Sequence, residues 1–422
     1  MFDVIVIGAG PAGMMAAGRS AELGNKTLLL EKTDSPGKKL LLSGNTRCNI
    51  TNSCESVEDF ISNFSESGKF LRNAFSVFFN KELLRFFRKR GLDFKVEPGG
   101  KVFPITDKAN DILRILVKYV KDSRCQILYR KEVSDIVKQG YIFEITTRDS
   151  SIYSAKKVII ATGGFSYPQT GSTGFGFHIA KKLGHTVIKS KPGLTGVILK
   201  TNFLKEWQGV SFEDAGVSVY SGDKLIHKDR GEMIFTHFGI SGPIILHMSH
   251  IIYDGLDSGK KVFISVDFKP ALNHHELGLL FQEVFKTNPA RKISNTLKEF
   301  IPARLVKRFL KAMSTDPDKK LNQVSKEEII AILEKLKGFR LNVESVRPIQ
   351  EAMVTCGGVS VKEIDPKTME SKILKGLYFA GELIDIDGRT GGYNLQAAFS
   401  TGWIAGGNLS CAAKVCAASS RI

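Results

Sequence analysis

Val4-Ile5-Val6-Ile7-Gly8-Ala9-Gly10-Pro11-Ala12-Gly13-Met14-Met15-Ala16-Ala17 is the stretch that decides the fold of this chain. The unbroken apolar run from Val4 to Ile7 reads as a strand buried on both faces, and Met14 to Ala17 are helix formers. Between them, Gly8, Gly10 and Gly13 fall at the spacing of a dinucleotide-binding turn. Gly8 permits the tight turn, Gly10 lets a pyrophosphate approach the backbone, and Gly13 lets helix and strand pack closely. Pro11 and Ala12 would open the helix, whose free amides face phosphate charge.

The next strand, Thr27 to Leu30, ends at Glu31, 18 residues beyond Gly13 and followed by Lys32. A carboxylate near that spacing is placed to accept from an adenosine ribose, and its charge would repel a 2′-phosphate. A glycine turn alone would be weak evidence. Here strand, helix and acid all stand where the dinucleotide reading needs them.

Composition bounds the rest. The chain has 422 residues, 42% hydrophobic and 24% charged, which matches a folded soluble protein and excludes disordered, collagen-like and coiled-coil classes. At roughly 150 residues per domain this is about three domains, or one large one with insertions. The net charge of +17 makes a polyanion, an anionic membrane surface or an acidic substrate worth weighing as partner. The cysteines at 48, 54, 125, 356, 411 and 416 form no CxxC pair, so free thiols in a reducing compartment and no metal site are expected. The N-terminus has no basic n-region and no apolar run is long enough to span a membrane. The expected location is the cytoplasm, and a peripheral membrane contact stays open.

Three further segments bear on the cofactor. The first is Pro36-Gly37-Lys38-Lys39-Leu40-Leu41-Leu42-Ser43-Gly44-Asn45-Thr46-Arg47-Cys48-Asn49-Ile50-Thr51-Asn52, a loop in which Arg47 and backbone amides could donate to pyrophosphate or flavin oxygens. The second is Val158-Ile159-Ile160-Ala161-Thr162-Gly163-Gly164, an apolar strand ending in a small-residue turn. The third runs from Gly376-Leu377-Tyr378-Phe379-Ala380-Gly381-Glu382 through Asp385, Asp387 and Gly388 to Gly391-Gly392-Tyr393-Asn394-Leu395-Gln396. A helix rich in small residues, Ala397, Ala398, Gly402, Ala405 and Gly406, follows it.

On these segments the chain resembles the two-dinucleotide-binding flavoproteins, and within them the bacterial BaiN-like family that includes proteins labelled aminoacetone oxidase. The resemblance runs nearly end to end. It implies a doubly wound Rossmann-like FAD domain with a three-stranded meander, interrupted by a β-barrel-like domain that carries a helical insert. It implies noncovalent FAD held by Gly8, Gly10, Pro11, Ala12, Gly13, Glu31, Lys32, Lys39, Ser43, Gly44, Arg47, Cys48 and Asn49. Val133 would contact the adenine, and Ala161, Thr162, Gly163, Gly164, Gly381, Glu382, Asp387, Gly391, Gly392, Tyr393, Asn394 and Leu395 would complete the site. A helix starting at Gly391 and Gly392 would face the flavin N1 and C2 carbonyl, where its positive end stabilises the charge of the reduced ring. Thr46 stands where the family usually has glycine, and Phe175 where it commonly has an acid. No second GxGxxG unit follows, so NAD(P)H, if it is the donor, would bind transiently.

The flavin-type pattern stops near Pro192 and resumes near Val346. Residues 1–191 and 346–422 are therefore expected to form the FAD domain, 192–270 and 339–345 a β-rich substrate domain, and 271–338 a helical insert. Val197 to Leu199, Val217 to Tyr220 and Val262 to Phe268 read as strands, Asp93 to Pro104 as a hairpin, and the phenylalanines between Phe75 and Phe87 as helical core positions.

No catalytic residue stands out. His237, in the family-like segment Gly231 to Pro243, has a pKa in the working range for proton transfer. With no visible partner it reads more simply as a structural histidine. Cys356 is a redox candidate only if exposed with a low pKa, and Arg389 is the third candidate. The expected chemistry is hydride transfer between a small organic substrate and flavin N5, with NAD(P)H or dioxygen as second substrate; oxidase and reductase directions stay open. The alternative is a flavoprotein that binds or modifies RNA. Residues 286–338 hold 13 Lys/Arg against 6 Asp/Glu, with Arg304, Lys307, Arg308 and Lys311 on one helical face. A solvated basic helix explains that face equally well, and the oligomeric state is not legible.

Overall fold

In the computed structural model, which describes residues 1–201 and 204–409, strand Phe2–Ile7 lies inside a seven-stranded sheet. Both faces of that strand are covered, so its sequence shows an apolar run and no alternation. It pairs in parallel with Thr27–Leu30 on one side, Val4 opposite Thr27 and Ile7 opposite Leu30. On the other side it pairs in parallel with Ile152–Ile160, Ile7 opposite Ile160. Gln126–Leu128 adds a further parallel strand beyond Thr27–Leu30.

Ile152–Ile160 changes neighbour along its length. Its first residues pair antiparallel with Ile142–Thr147, which in turn pairs with Val133–Gln139. Its last three pair in parallel with the wholly buried Leu377–Phe379. Strand Ile142–Thr147 alternates buried and more exposed residues, as one-sided packing requires, whereas the register of Val133–Gln139 shifts between Val133 and Asp135. A parallel sheet with an attached three-stranded meander is the Rossmann-type arrangement expected for this chain.

Helix Pro11–Glu22 returns over the sheet and packs on Tyr393–Gly407. The approach is close: a Cβ on Gly402 would stand 2.3 Å from the Ala12 carbonyl oxygen, and one on Gly406 2.4 Å from that of Ala16. Beside them a small antiparallel sheet joins Thr51–Asn52 to the expected hairpin of Phe94–Glu97 and Lys101–Pro104. The phenylalanine-rich stretch forms helices Arg72–Val77 and Asn80–Arg88, with Phe75, Phe86 and Phe87 buried.

The chain divides into two compact units, Met1–Lys191 with Met353–Ile422, and Pro192–Ala352. The second unit is built on a closed barrel in the order Val197–Leu199, Gly239–Ser241, Lys224–Phe235, Ser211–Ser221, Val262–Asp267 and Phe339–Val346. All its pairings are antiparallel, and Phe339–Val346 closes the ring on Val197–Leu199. Helices His274–Thr287, Ile293–Leu297, Ala303–Lys311 and Lys326–Lys337 precede the closing strand. The Phe309 ring stacks on Phe339 at 6.0 Å, and Phe339 lies 5.2 Å from the buried Trp207. Among the described residues no helix is long and apolar enough to cross a membrane. Cys411 and Cys416 lie outside the described residues.

Candidate dinucleotide and flavin site

The glycine turn is built as its spacing requires. Gly8 has φ +99°, and a Cβ there would stand 2.6 Å from the Ala161 carbonyl oxygen. A Cβ on Gly13 would fall 1.8 Å from the Gly8 carbonyl oxygen, so only glycine lets the helix begin this close to the strand. Gly10 differs, because nothing lies within 4 Å of the position its Cβ would take. It is the N-cap of Pro11–Glu22, and no side chain caps that helix. An uncapped helix N-terminus beside open space is an anion cradle.

Glu31 closes one side of this cradle. It is 8% exposed, its Oε2 accepts from the Ala9 amide at 2.8 Å, and its Oε1 accepts from the Thr33 amide at 2.8 Å. Each oxygen keeps a lone pair for a ribose hydroxyl. The neighbouring Lys32 donates to Thr173 Oγ1 at 3.0 Å, and partial burial lowers its pKa. The amides of Arg130 and Lys131 donate to the carbonyls of Thr33 and Glu31, at 2.9 Å each, which brings Val133 alongside.

The Ala161-Thr162-Gly163-Gly164 turn lies opposite. The Thr162 hydroxyl is buried with no hydrogen-bond partner among the described residues. It packs against the start of helix Phe175–Lys182, where a Cβ on Gly176 would stand 2.2 Å from it. Gly163 has φ +71°, and a Cβ on Gly164 would stand 2.3 Å from Thr355 Oγ1. Thr355 accepts from the Phe165 amide at 2.8 Å, while its own amide donates to Glu382 Oε1 at 2.8 Å. Glu382 pairs with Lys39 at 2.7 Å, so segments more than 340 residues apart meet here. Gly381, at φ +74°, donates its amide to Thr401 Oγ1 at 3.0 Å.

The loop after Lys39 meets the start of the C-terminal helix. Asn52 Nδ2 donates to the Gly391 carbonyl at 3.2 Å and Thr51 Oγ1 to Gln396 Oε1 at 2.7 Å. Gly392, the N-cap of Tyr393–Gly407 at φ +97°, could not carry a Cβ, which would lie 2.3 Å from the Thr51 carbonyl oxygen. Thr51, Asn52 and Gln396 stand in the quoted segments without a role of their own, and Thr355 opens a stretch, Thr355 to Val359, that resembles a flavin-side loop of distant relatives; their hydrogen bonds join the segments.

Several candidate residues are engaged within the protein. Arg47 donates to Glu97 at 2.7 and 3.0 Å and to Asp107 at 3.3 Å, and its guanidinium lies 4.0 Å over the Phe103 ring. Its side chain therefore ties the loop to the hairpin. Asn49 Oδ1 accepts from the Val102 amide at 3.1 Å, and Ser43 Oγ donates to the Leu40 carbonyl at 2.6 Å. Gly44 sits at φ +57° against the Asn49 amide. Asn394 grips Gly388, accepting from its amide and donating to its carbonyl at 2.8 Å each. The Tyr393 ring packs on Phe60 at 4.7 Å, and Leu395 is partly buried against the core of this unit.

The proton-transfer and redox candidates separate clearly. Cys356 does not meet the condition set for a redox thiol: it is buried, and burial with the adjacent Asp387 carboxylate pushes its pKa up. Cys48 is likewise buried, its thiol pushed up to about 12. His237 is exposed in the second unit with its ring against Phe238. Arg389 is exposed, and its amide donates to the Asn63 carbonyl at 2.8 Å. Asp385 stands two residues before Asp387. Burial first, and the Asp387 charge second, raise its pKa, while the Ser67 hydroxyl donates to it at 3.3 Å.

Comparison with known proteins agrees with this architecture. The HI0933-like protein Rossmann domain matches residues 2–408. A ribosomal RNA dihydrouridine synthase of Escherichia coli is 31% identical over 407 residues, 95% of this chain and 96% of that protein. A 3-dehydro-bile acid delta(4,6)-reductase of Clostridium scindens is 31% identical over 405 residues, 95% of this chain and 97% of that protein. Among solved structures, the FrdA subunit of Escherichia coli quinol fumarate reductase superposes with a TM-score of 0.50 at 16% identity. That superposition covers 99% of this chain and 73% of the other, and shows the fold alone. With the family match running almost from end to end, the chain belongs to the HI0933-like Rossmann-domain family.

Proposed function

We propose that this chain, an FAD-dependent oxidoreductase, saturates a carbon–carbon double bond conjugated to a carbonyl. The observation that carries the reading is the cradle itself: an uncapped helix start, open space over Gly10 and the Glu31 carboxylate. These groups fit a dinucleotide. The amides of the first turn of Pro11–Glu22 would hold the diphosphate and Glu31 the ribose. Bound FAD would supply a hydride at N5, which NAD(P)H replenishes. The start of Tyr393–Gly407, which has no side-chain cap, would place positive helix-end potential where negative charge develops. Lys39, Glu382 and Thr355 would fix the segments that carry these groups.

The relatives' names support the choice of acceptor. A uridine reduced to dihydrouridine and a 3-keto delta(4,6) system each gain hydrogen across a double bond conjugated to a carbonyl. Each double bond takes one hydride and one proton: the hydride goes to the β-carbon and the proton to the α-carbon in uracil and for the inner bond of the dienone, and to the δ- and γ-carbons for its outer bond. A uracil ring within RNA is the second reading, and the net charge of +17 is the observation that favours it.

An anaerobic visible spectrum tests the proposal. The purified protein should show an oxidised-flavin band that bleaches with NADH or NADPH and returns when a conjugated enone such as cyclohex-2-enone, or uridine-containing RNA, is added. A bleached band that neither acceptor restores would refute the acceptor class. No band after FAD is added back would refute the cofactor.

A further inference from the structure

We infer that the outer face of helix Ala303–Lys311 is a docking surface for the phosphate backbone of RNA. The inference rests on the second reading above, since it names where an RNA substrate would be held. The helix reads Ala-Arg-Leu-Val-Lys-Arg-Phe-Leu-Lys and contains no acid. Leu305, Val306, Phe309 and Leu310 are at most 1% exposed, so one face is wholly committed to the core of the second unit. That anchoring turns Arg304, Lys307 and Lys311 outward, at helical spacings of three and four residues, and all three are exposed. At 1.5 Å per residue the row is about 10 Å long, roughly the axial rise of three nucleotides.

Part of the charge in the surrounding insert is paired with acids. Arg291 pairs with Glu299, Lys292 with Asp318 at 2.8 Å, and Lys319 with Glu328 at 2.6 Å. Half of the six acids in residues 286–338 pair with cations outside this helix; the helix, with four Lys/Arg and no acid, carries four of the segment's excess of seven positive charges, and Asp318 also acts electrostatically on Lys307. A membrane fits less well, because the apolar side chains that would enter a bilayer are the ones buried in the core. A flexible polyanion carrying regularly spaced charge matches a rigid cationic row.

The test compares the FAD-bound wild-type protein with Arg304→Gln/Lys307→Gln/Lys311→Gln. A control, Lys224→Gln/Lys260→Gln/Lys261→Gln, removes the same charge from other exposed positions of the same unit. Binding of a fluorescein-labelled, uridine-rich RNA stem-loop is titrated at several salt concentrations, and each protein is checked for flavin content and melting temperature. Wild type and control should bind with a steep salt dependence. The helix variant should lose about 2 from the log–log salt slope and bind about tenfold or more weakly near 0.1 M salt, with flavin and melting unchanged. Equal losses in control and helix variant, or wild-type affinity in the helix variant, would overturn the assignment, as would a wild-type protein that binds no RNA at low salt. Reduction of cyclohex-2-enone is measured alongside: if it persists while RNA binding fails, the docking surface is refuted and the proposed chemistry stands.

Discussion

Thr46 holds a left-handed backbone at φ +66°, between Asn45 at +56° and Cys48 at +62°. A β-branched residue there carries roughly 1–2 kcal/mol of strain, whereas glycine carries none but gives back about 0.5–1 kcal/mol of unfolded-chain entropy. The Thr46 hydroxyl reaches only its neighbour's carbonyl, Asn45 O at 2.6 Å. Thr46→Gly should therefore stabilise the FAD-saturated protein by about 0.5–1 kcal/mol in denaturant unfolding. A loss would mean that the side chain has a use its contacts do not show. Asp385 gives a pH prediction with a definite sign. Burial raises its folded pKa, so the folded chain holds this proton more tightly than the unfolded one. Its contribution favours folding at low pH and fades as pH rises from the ordinary aspartate value of about 3.9 through the raised folded value. Asp385→Asn keeps an acceptor for the Ser67 hydroxyl and should flatten that decline in a melting-temperature series against pH. An unchanged decline would assign it to other groups. At this scale the sequence shows residue types but not their partners. Arg47 looked like a phosphate ligand because Glu97 and Asp107 lie 50 and 60 residues away in the chain.

Between helices Pro11–Glu22 and Tyr393–Gly407 the contact is backbone to backbone, and the small residues near the C-terminus already suggested a close approach. Gly402→Ala would drive a methyl to 2.3 Å from the Ala12 carbonyl oxygen, and the helix backbone offers no flexible end to yield. The expected cost is about 2–3 kcal/mol, together with weaker FAD binding as the uncapped N-terminus beside Ala12 shifts. Gly407→Ala is the internal comparison, because among the described residues only Arg19 Nε lies within reach, at 4.0 Å. It should stay within about 1 kcal/mol of wild type and retain FAD. Thermal unfolding with FAD titration measures both, and equal effects would remove helix contact as the cause. The strand–turn–helix start was legible because local period and glycine spacing encode it. Strands of the barrel were legible singly, as Val197 to Leu199 and Val262 to Phe268 show. Their order was not, since the pairing of Phe339–Val346 with Val197–Leu199 spans some 140 residues and leaves no local pattern.

Taken as one molecule, the chain places every group of the proposed dinucleotide cradle in Met1–Lys191 and Met353–Ile422. The ends left by the intervening unit are neighbours. Strands Val187–Gly193 and Val354–Val359 pair with each other, and the Ser360 amide donates to the Thr186 carbonyl at 3.0 Å. A Cβ on Gly357 would lie 2.5 Å from the Lys189 carbonyl oxygen, which fixes the strands side by side near the junction. The first unit also has its own continuous core, from Val4 through Phe143 to Phe399. Loop closure across so short a gap costs little entropy. Replacing residues 192–352 with a short glycine–serine linker should therefore leave a chain that folds and binds FAD with a visible flavin band. Circular dichroism separates the two ways of failing. A folded remnant without flavin would place part of the cradle in Pro192–Ala352, whereas an unfolded one would show that the first unit depends on the second for stability. Retention of both fold and flavin would confine cofactor binding to the elements that the first thirty residues announce and the C-terminal helix completes.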